Sequence, residues 1–203
     1  MTERAASVIR PPSFCLEGIH HELAFTNIRM KFAIENPENK LYVLCVLYGY
    51  FQERMNSQAS VINWVRNSKE PRNVLLDRVA ALLKENFSHY TGVYIYLLEG
   101  ETLVLHSYRG RPTEHTRIPI GAGICGRAAR IKDTVIVDDV NSDAEYIACS
   151  LETRSEIVVP IMRDGEVFGE IDIDSAVPAA FSEADRKFLE EVARLLAMHW
   201  DAN

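Results

Sequence analysis

The segment that leaves this chain the fewest choices is Ser155 to Asp174, SEIVVPIMRDGEVFGEIDID. Asp164-Gly165 is a two-residue hairpin signal, because both residue types tolerate the positive φ such turns require. The run after it alternates. Ile171 and Ile173 point to one side and Glu170, Asp172 and Asp174 to the other, since successive strand side chains face opposite ways. The run before it, Ser155 to Met162, carries Glu156 among apolar residues. Pairing back across the turn puts Glu156 near the Asp172–Asp174 end of its neighbour. One sheet face is therefore apolar and the other gathers four acids. Carboxylates at that spacing repel one another. Two readings stay open: a solvated outer face where water screens the repulsion, or a cavity floor that waits for a cation such as an α-amino group.

Upstream, Gly92–Leu98 (GVYIYLL) and Thr102–Tyr108 (TLVLHSY) flank Glu99-Gly100-Glu101 and predict a second hairpin. Tyr94 and Tyr96 share one face of its first strand, where they wall a ligand pocket or pack in the core. Thr116–Ile120 and Thr134–Asp138 are further short strands. The glycine-rich GAGICG, Gly121–Gly126, is read as a tight turn leading into a helix at Arg127–Ile131. Ser68-Lys69-Glu70-Pro71 is expected to start a helix whose apolar stripe is Val74, Leu75, Val79, Leu82 and Leu83. A short helix is expected in the Asn141–Thr153 loop. Ser182 to Asp185 is a capping box for a final amphipathic helix ending near Trp200.

Residues 1–68 have another texture. About the first twelve read as disordered, and two or three helices are expected in 13–68, one of them Lys40–Met55. A strand over Leu41–Leu47 stays open, because an all-apolar run has no period to read. The expected organisation is thus an extension, mostly helical, over 1–68, and an α+β domain over 69–203 with an antiparallel central sheet between N- and C-terminal helices.

A net charge of −7 over 203 residues gives no basic stripe for nucleic acid and no polybasic membrane patch. The longest apolar run, Leu41–Phe51, is about half the roughly 20 residues a membrane span needs. The first residues lack a secretory pattern, so a cytoplasmic location is expected. The four cysteines, Cys15, Cys45, Cys125 and Cys149, form no C-x-x-C pair, and the six histidines sit at no ligand spacing. No metal or organic cofactor is expected. Cys149 stands apart, a thiol in the polar turn YIACSLETRSEI seven residues before Glu156. A desolvated carboxyl near it would hold its proton to higher pH and could donate it.

RIPIGAGICG (Arg117–Gly126), YIACSLETRSEIVVPI (Tyr146–Ile161) and GEIDIDS (Gly169–Ser175) together resemble a GAF domain. More narrowly they resemble the free methionine-(R)-sulfoxide reductase branch, over about Lys69–Trp200. The resemblance implies a GAF-like antiparallel sheet and an enclosed pocket for free methionine sulfoxide. It implies that Cys149 attacks the sulfoxide sulfur, that Glu156, Asp172 and Asp174 bind substrate and assist protonation, that Cys125 is a further family cysteine and, with an external thiol as the alternative, a candidate to clear the sulfenic acid left on Cys149, and that Tyr96 lies near a pocket aromatic. Thioredoxin or another thiol reductant is the implied partner, and a homodimer through the terminal helices is expected from GAF domains generally. Two positions depart from the pattern. His115 stands where the resolving cysteine is usual, and Gly92 where the pocket tryptophan is usual. The alternative is a non-catalytic GAF sensor that binds another small ligand in the same cavity.

Overall fold

The computed structural model describes residues 37–147, 150 and 152–200, with side chains at 49 and from 52 onward. The expectations for residues 1–36, for the side chain of Cys45 and for Cys149 fall outside the described residues. The chain divides into two compact units, one ending at Asn56 and one over Ser57–Asn203. Helix α1 spans Pro37–Asn67. The strand alternative for 41–47 is thereby excluded, and within 37–67 there is a single helix. No helix among the described residues is long and apolar enough to cross a membrane.

The second unit carries a six-stranded sheet in the order β3-β2-β1-β6-β5-β4, every pairing antiparallel. The strands are β1 (Gly92–Glu99), β2 (Thr102–Arg109), β3 (Arg117–Pro119), β4 (Val135–Val137), β5 (Ser155–Arg163) and β6 (Glu166–Ser175). The β5–β6 hairpin turns at Asp164 and Gly165, whose φ values of 53° and 80° are the positive pair its turn demands. With that turn fixed, register follows, and Glu156 lies opposite Asp174.

Three helices cover the first sheet face. Val61 and Val65 of α1, the buried side of α2 (Arg72–Asn86) and the buried side of α4 (Glu183–Met198) pack on Val93, Ile95, Ile157, Val159, Ile161, Ile171 and Ile173. Ser182 and Asp185 close the expected capping box at the start of α4. Two expectations for α2 need correction. Ser68 does not cap it: its hydroxyl accepts from the Glu70 amide at 3.2 Å, and Pro71 stands at the helix start without a side-chain cap. The buried stripe takes in Leu76 and leaves Val74 44% exposed, because the sheet meets the helix about one position round from the predicted face.

The second face is covered by α3 (Gly123–Ile131), by a 3-10 turn at Val140–Ser142 where a short helix was expected, and by loops. Helix α3 starts inside the glycine-rich stretch. Cys125 is therefore helical, not part of a turn preceding the helix. Gly126 allows this: a Cβ there would stand 2.5 Å from the Pro119 carbonyl oxygen and 2.7 Å from the Gly121 nitrogen. The helix can press on the β3 loop only without that carbon.

Candidate functional site

Sheet register lays the acids out in rows on the α3 side. Gly92, Asp174, Glu156 and Val137 are successive partners across β1, β6, β5 and β4. The next row is Tyr94, Asp172, Val158 and Val135, and the third holds Tyr96, Glu170 and Pro160. The solvated-face reading fails here. Glu170, Asp172, Glu156 and Asp174 are 0%, 1%, 3% and 3% exposed. Burial, reinforced by the neighbouring carboxylates, holds Glu156, Glu170 and Asp172 well above the usual carboxylate range. Burial raises Asp174 to about 6, against an opposing hydrogen bond from Thr153. Oxygens of Glu170, Asp172 and Asp174 have no hydrogen-bond partner among the described residues. Buried polar atoms are normally satisfied, so a face left this way is prepared for something other than folding.

The cover of this face supplies a thiol. Cys125, in the first turn of α3, lies with its sulfur 3.4 Å from an Asp172 oxygen and 4.0 Å from a Glu156 oxygen. Cys125, Glu156 and Asp172 have ligand atoms within 4.8 Å of one another, close enough to share a small cation. Two residues further on, Arg127 binds Asp143 at 2.7 Å and Glu145 at 3.2 Å. These ion pairs tether the 139–147 segment to α3, and Tyr146 of that segment packs on the same core.

A cavity of about 190 Å³ opens beside the acids. By volume it has room for roughly six waters, the scale of one amino acid. Of the residues that line it, Asp174, Tyr94, Gly92 and Thr153 are buried, and Lys84, Arg111, Ser150 and Glu152 are more exposed. Tyr94 takes the place expected of Tyr96. Tyr96 is fully buried, donates its hydroxyl to the His115 carbonyl at 2.9 Å and does not line this cavity. The Tyr94 ring lies over Gly92, and its hydroxyl donates to the Arg111 carbonyl at 3.0 Å. A Cβ at residue 92 would stand 2.7 Å from the Tyr94 hydroxyl. Gly92→Ala is therefore expected to swing the ring aside and lose that hydrogen bond, at a cost of about 1 kcal/mol. Thermal unfolding of Gly92→Ala, Tyr94→Phe and the double variant checks this: the two losses overlap and do not add.

The predicted site residues thus divide. Glu156, Asp172, Asp174 and Cys125 converge in one buried cluster, and Asp174 joins it to the cavity. Cys149 lies outside the described residues; its neighbour Ser150 lines the cavity. His115 sits on the β2–β3 loop, half-buried, with its amide donating to the Thr113 hydroxyl at 3.0 Å. Lys84, Arg111 and Glu152 were not singled out from sequence, whereas Tyr94 was read with Tyr96 as a wall of a ligand pocket or a part of the core. Tyr94 had a signal, since it shares the acid face of its strand. The three charged residues had none, being ordinary polar positions in separate segments.

An antiparallel sheet with helices on one side, and on the other a short helix and loops over a buried acidic floor and a small cavity, defines an α+β module of the ligand-pocket type. The chain belongs to the GAF domain family, whose profile matches residues 70–201. Among its relatives is the free methionine-R-sulfoxide reductase of Saccharomyces cerevisiae, 38% identical over 66% of this chain and 74% of that protein. GAF domain-containing protein A of Dictyostelium discoideum is 41% identical over 60% of this chain and 76% of its own length. A similar solved structure is the free methionine-R-sulfoxide reductase of Neisseria meningitidis in complex with its substrate. It superposes with a TM-score of 0.68 at 36% identity, covering 73% of this chain and 89% of that one.

Proposed function

We propose that this protein reduces free L-methionine-(R)-sulfoxide to methionine at the expense of thiols. The observation that carries the reading is the buried row Glu156–Asp174 with Asp172 beside it, meeting an amino-acid-sized cavity at Asp174. Similarity to reductases of that name supports it.

The Cys149 sulfur attacks the sulfoxide sulfur. The S–O bond breaks, methionine leaves, and Cys149 carries the oxygen as a sulfenic acid. Glu156 and Asp172, held protonated by burial, supply the proton that the sulfoxide oxygen needs as it leaves sulfur. Asp174 and its neighbours take the substrate ammonium. One external thiol then condenses with the sulfenic acid, releasing water and forming a mixed disulfide, and a second thiol releases Cys149. The net change is sulfoxide plus two thiols to methionine, disulfide and water. Thioredoxin or another thiol reductant fills that role, since His115 supplies no thiol and Cys125 is engaged with Asp172. No bound cofactor takes part. The reaction belongs in the cytoplasm, where such reductants are held reduced, and the active form is a homodimer.

The test incubates the protein with each epimer of free methionine sulfoxide and dithiothreitol or thioredoxin, with Cys149→Ser as the blank. Methionine is expected from the R epimer only. Release no greater than the blank would remove the enzyme and leave a GAF sensor, to be pursued by thermal shift with a ligand panel.

A further inference from the structure

The buried acids under α3 outnumber the groups that answer them. No lysine or arginine among the described residues forms an ion pair with Glu156, Glu170, Asp172 or Asp174, and Arg127 of α3 is held by Asp143 and Glu145. Cys125 donates to one Asp172 oxygen at 3.4 Å, and the other Asp172 oxygen has no partner among the described residues. Neither oxygen of the fully buried Glu170 has one. Glu170 stands two residues before Asp172 and so on the same face of β6. The Cys125 thiol favours the ionised form of Glu170 as it does that of Asp172, without satisfying either Glu170 oxygen. The thiol and the orphaned oxygens thus converge on one dry spot, and buried oxygens left this way point to a ligand.

We propose that Cys125, Glu156 and Asp172 bind a divalent cation of borderline softness, of which zinc is the best fit, and that the bound metal blocks the reaction. The separations carry the choice of metal. With zinc–sulfur and zinc–oxygen bonds of ordinary length, a tetrahedral site places sulfur and oxygen about 3.6 Å apart. The Cys125 sulfur is 3.4 Å from the Asp172 oxygen and 4.0 Å from the Glu156 oxygen, and the three ligand atoms lie within 4.8 Å of one another. Glu170 or a water takes the fourth position. Magnesium and calcium want oxygen alone and more of it, and a sulfur donor selects against them. The donors stand on α3, β5 and β6, so the site is held by regular elements. They come from three distant segments, and no spacing motif announces them. Block of the reaction, unlike the site itself, rests on the function proposed above: a metal on Glu156 and Asp172 takes away its two proton donors.

The experiment titrates Co²⁺, then Zn²⁺, into the chelator-treated full-length chain carrying Cys15→Ser, Cys45→Ser and Cys149→Ser, so that Cys125 is its one thiol. One equivalent of cobalt is expected to bind with a thiolate-to-cobalt charge-transfer band and the strong visible bands of a four-coordinate ion, and zinc should abolish both. Zinc should also raise the melting temperature. Adding Cys125→Ser, Glu156→Gln or Asp172→Asn should weaken zinc binding by about 100-fold or more, since even partners one step removed from a metal are worth about 10- to 100-fold. Melting without metal verifies that each variant folds. A one-thiol chain that shows no charge-transfer band overturns the site, whatever the variants do, and so does zinc affinity unchanged in all three. For the block, methionine released in a single turnover is measured with reduced wild-type protein, L-methionine-(R)-sulfoxide and no added thiol. The zinc-loaded protein is expected to release it about 100-fold more slowly than the metal-free one, the scale of a lost general acid. Equal rates would overturn the block. Cobalt binding as expected, with no methionine from either form, would sink the reductase reading and leave the metal site standing.

Discussion

Glu156→Gln and Asp172→Asn are expected to lower kcat/KM for free methionine-(R)-sulfoxide by about 100- to 1,000-fold each, the range attributed to a positioned general acid. The amides keep the shape and lose the transferable proton. Burial, then the carboxylates beside them, raises Asp172 and Glu156 well above the usual carboxylate range and favours their protonated forms. Asp174 behaves differently. It ionises at about 6, and the ligand ammonium stays charged across that range. Affinity should therefore rise with pH as Asp174 becomes an anion, about tenfold per unit on the acid side, and level off above about 6. Asp174→Asn should flatten that limb while raising KM. A pH series of KM and kcat for the three variants separates the roles. If all three lost only KM, with kcat intact, the proton-donor role would be excluded and a purely binding role would remain.

The β5–β6 hairpin was legible in sequence because two local rules agree there. Asp164-Gly165 sets the turn, alternation sets the face, and together they force Glu156 beside Asp174. What that face met was not legible. An acidic strand face reads the same whether water or a helix lies over it. Its cover, α3, comes from a distant stretch whose glycines signal a turn. Gly121 and Gly123 do take the positive φ of a turn, 89° and 64°, while Gly126 lets the helix approach β3, as its contact with the Pro119 carbonyl requires. The choice of Tyr94 over Tyr96 as a cavity wall was hidden for a similar reason. Both residues point the same way, and the difference lies in their cross-strand partners, Asp172 for Tyr94 and Glu170 for Tyr96. The more exposed lining of the cavity comes from α2, the β2–β3 loop and the loop before β5, so no window of sequence contains it.

The acid cluster should cost the empty protein stability at neutral pH. In an unfolded chain Asp174 loses its proton near 3.9. In the folded protein it keeps it to about 6. Between those values the folded state binds more protons than the unfolded one, so stability falls as pH rises and the whole penalty is present above about 6. A two-unit displacement corresponds to about 3 kcal/mol, from 1.36 kcal/mol per unit. Asp174→Asn removes the ionisable group, and Thr153 can still donate to the amide oxygen. The variant is therefore expected to melt roughly 6–12 °C above the wild type at pH 7.5, at about 2–4 °C per kcal/mol for a chain of this size. The difference should shrink as pH falls through 6 towards 4. Asp172→Asn should act in the same direction, and the two gains should fall short of additive because part of the penalty on ionising Asp172 comes from the Asp174 carboxylate. Ligand should then raise the melting temperature of the wild type more than that of either variant, since its ammonium offsets the repulsion the variants no longer have. Calorimetry of the three proteins across that pH range decides the matter. Variants that melt below the wild type at pH 7.5 would mean that the carboxylates hold the fold together, and the proposed binding of the ammonium would lose its energetic basis.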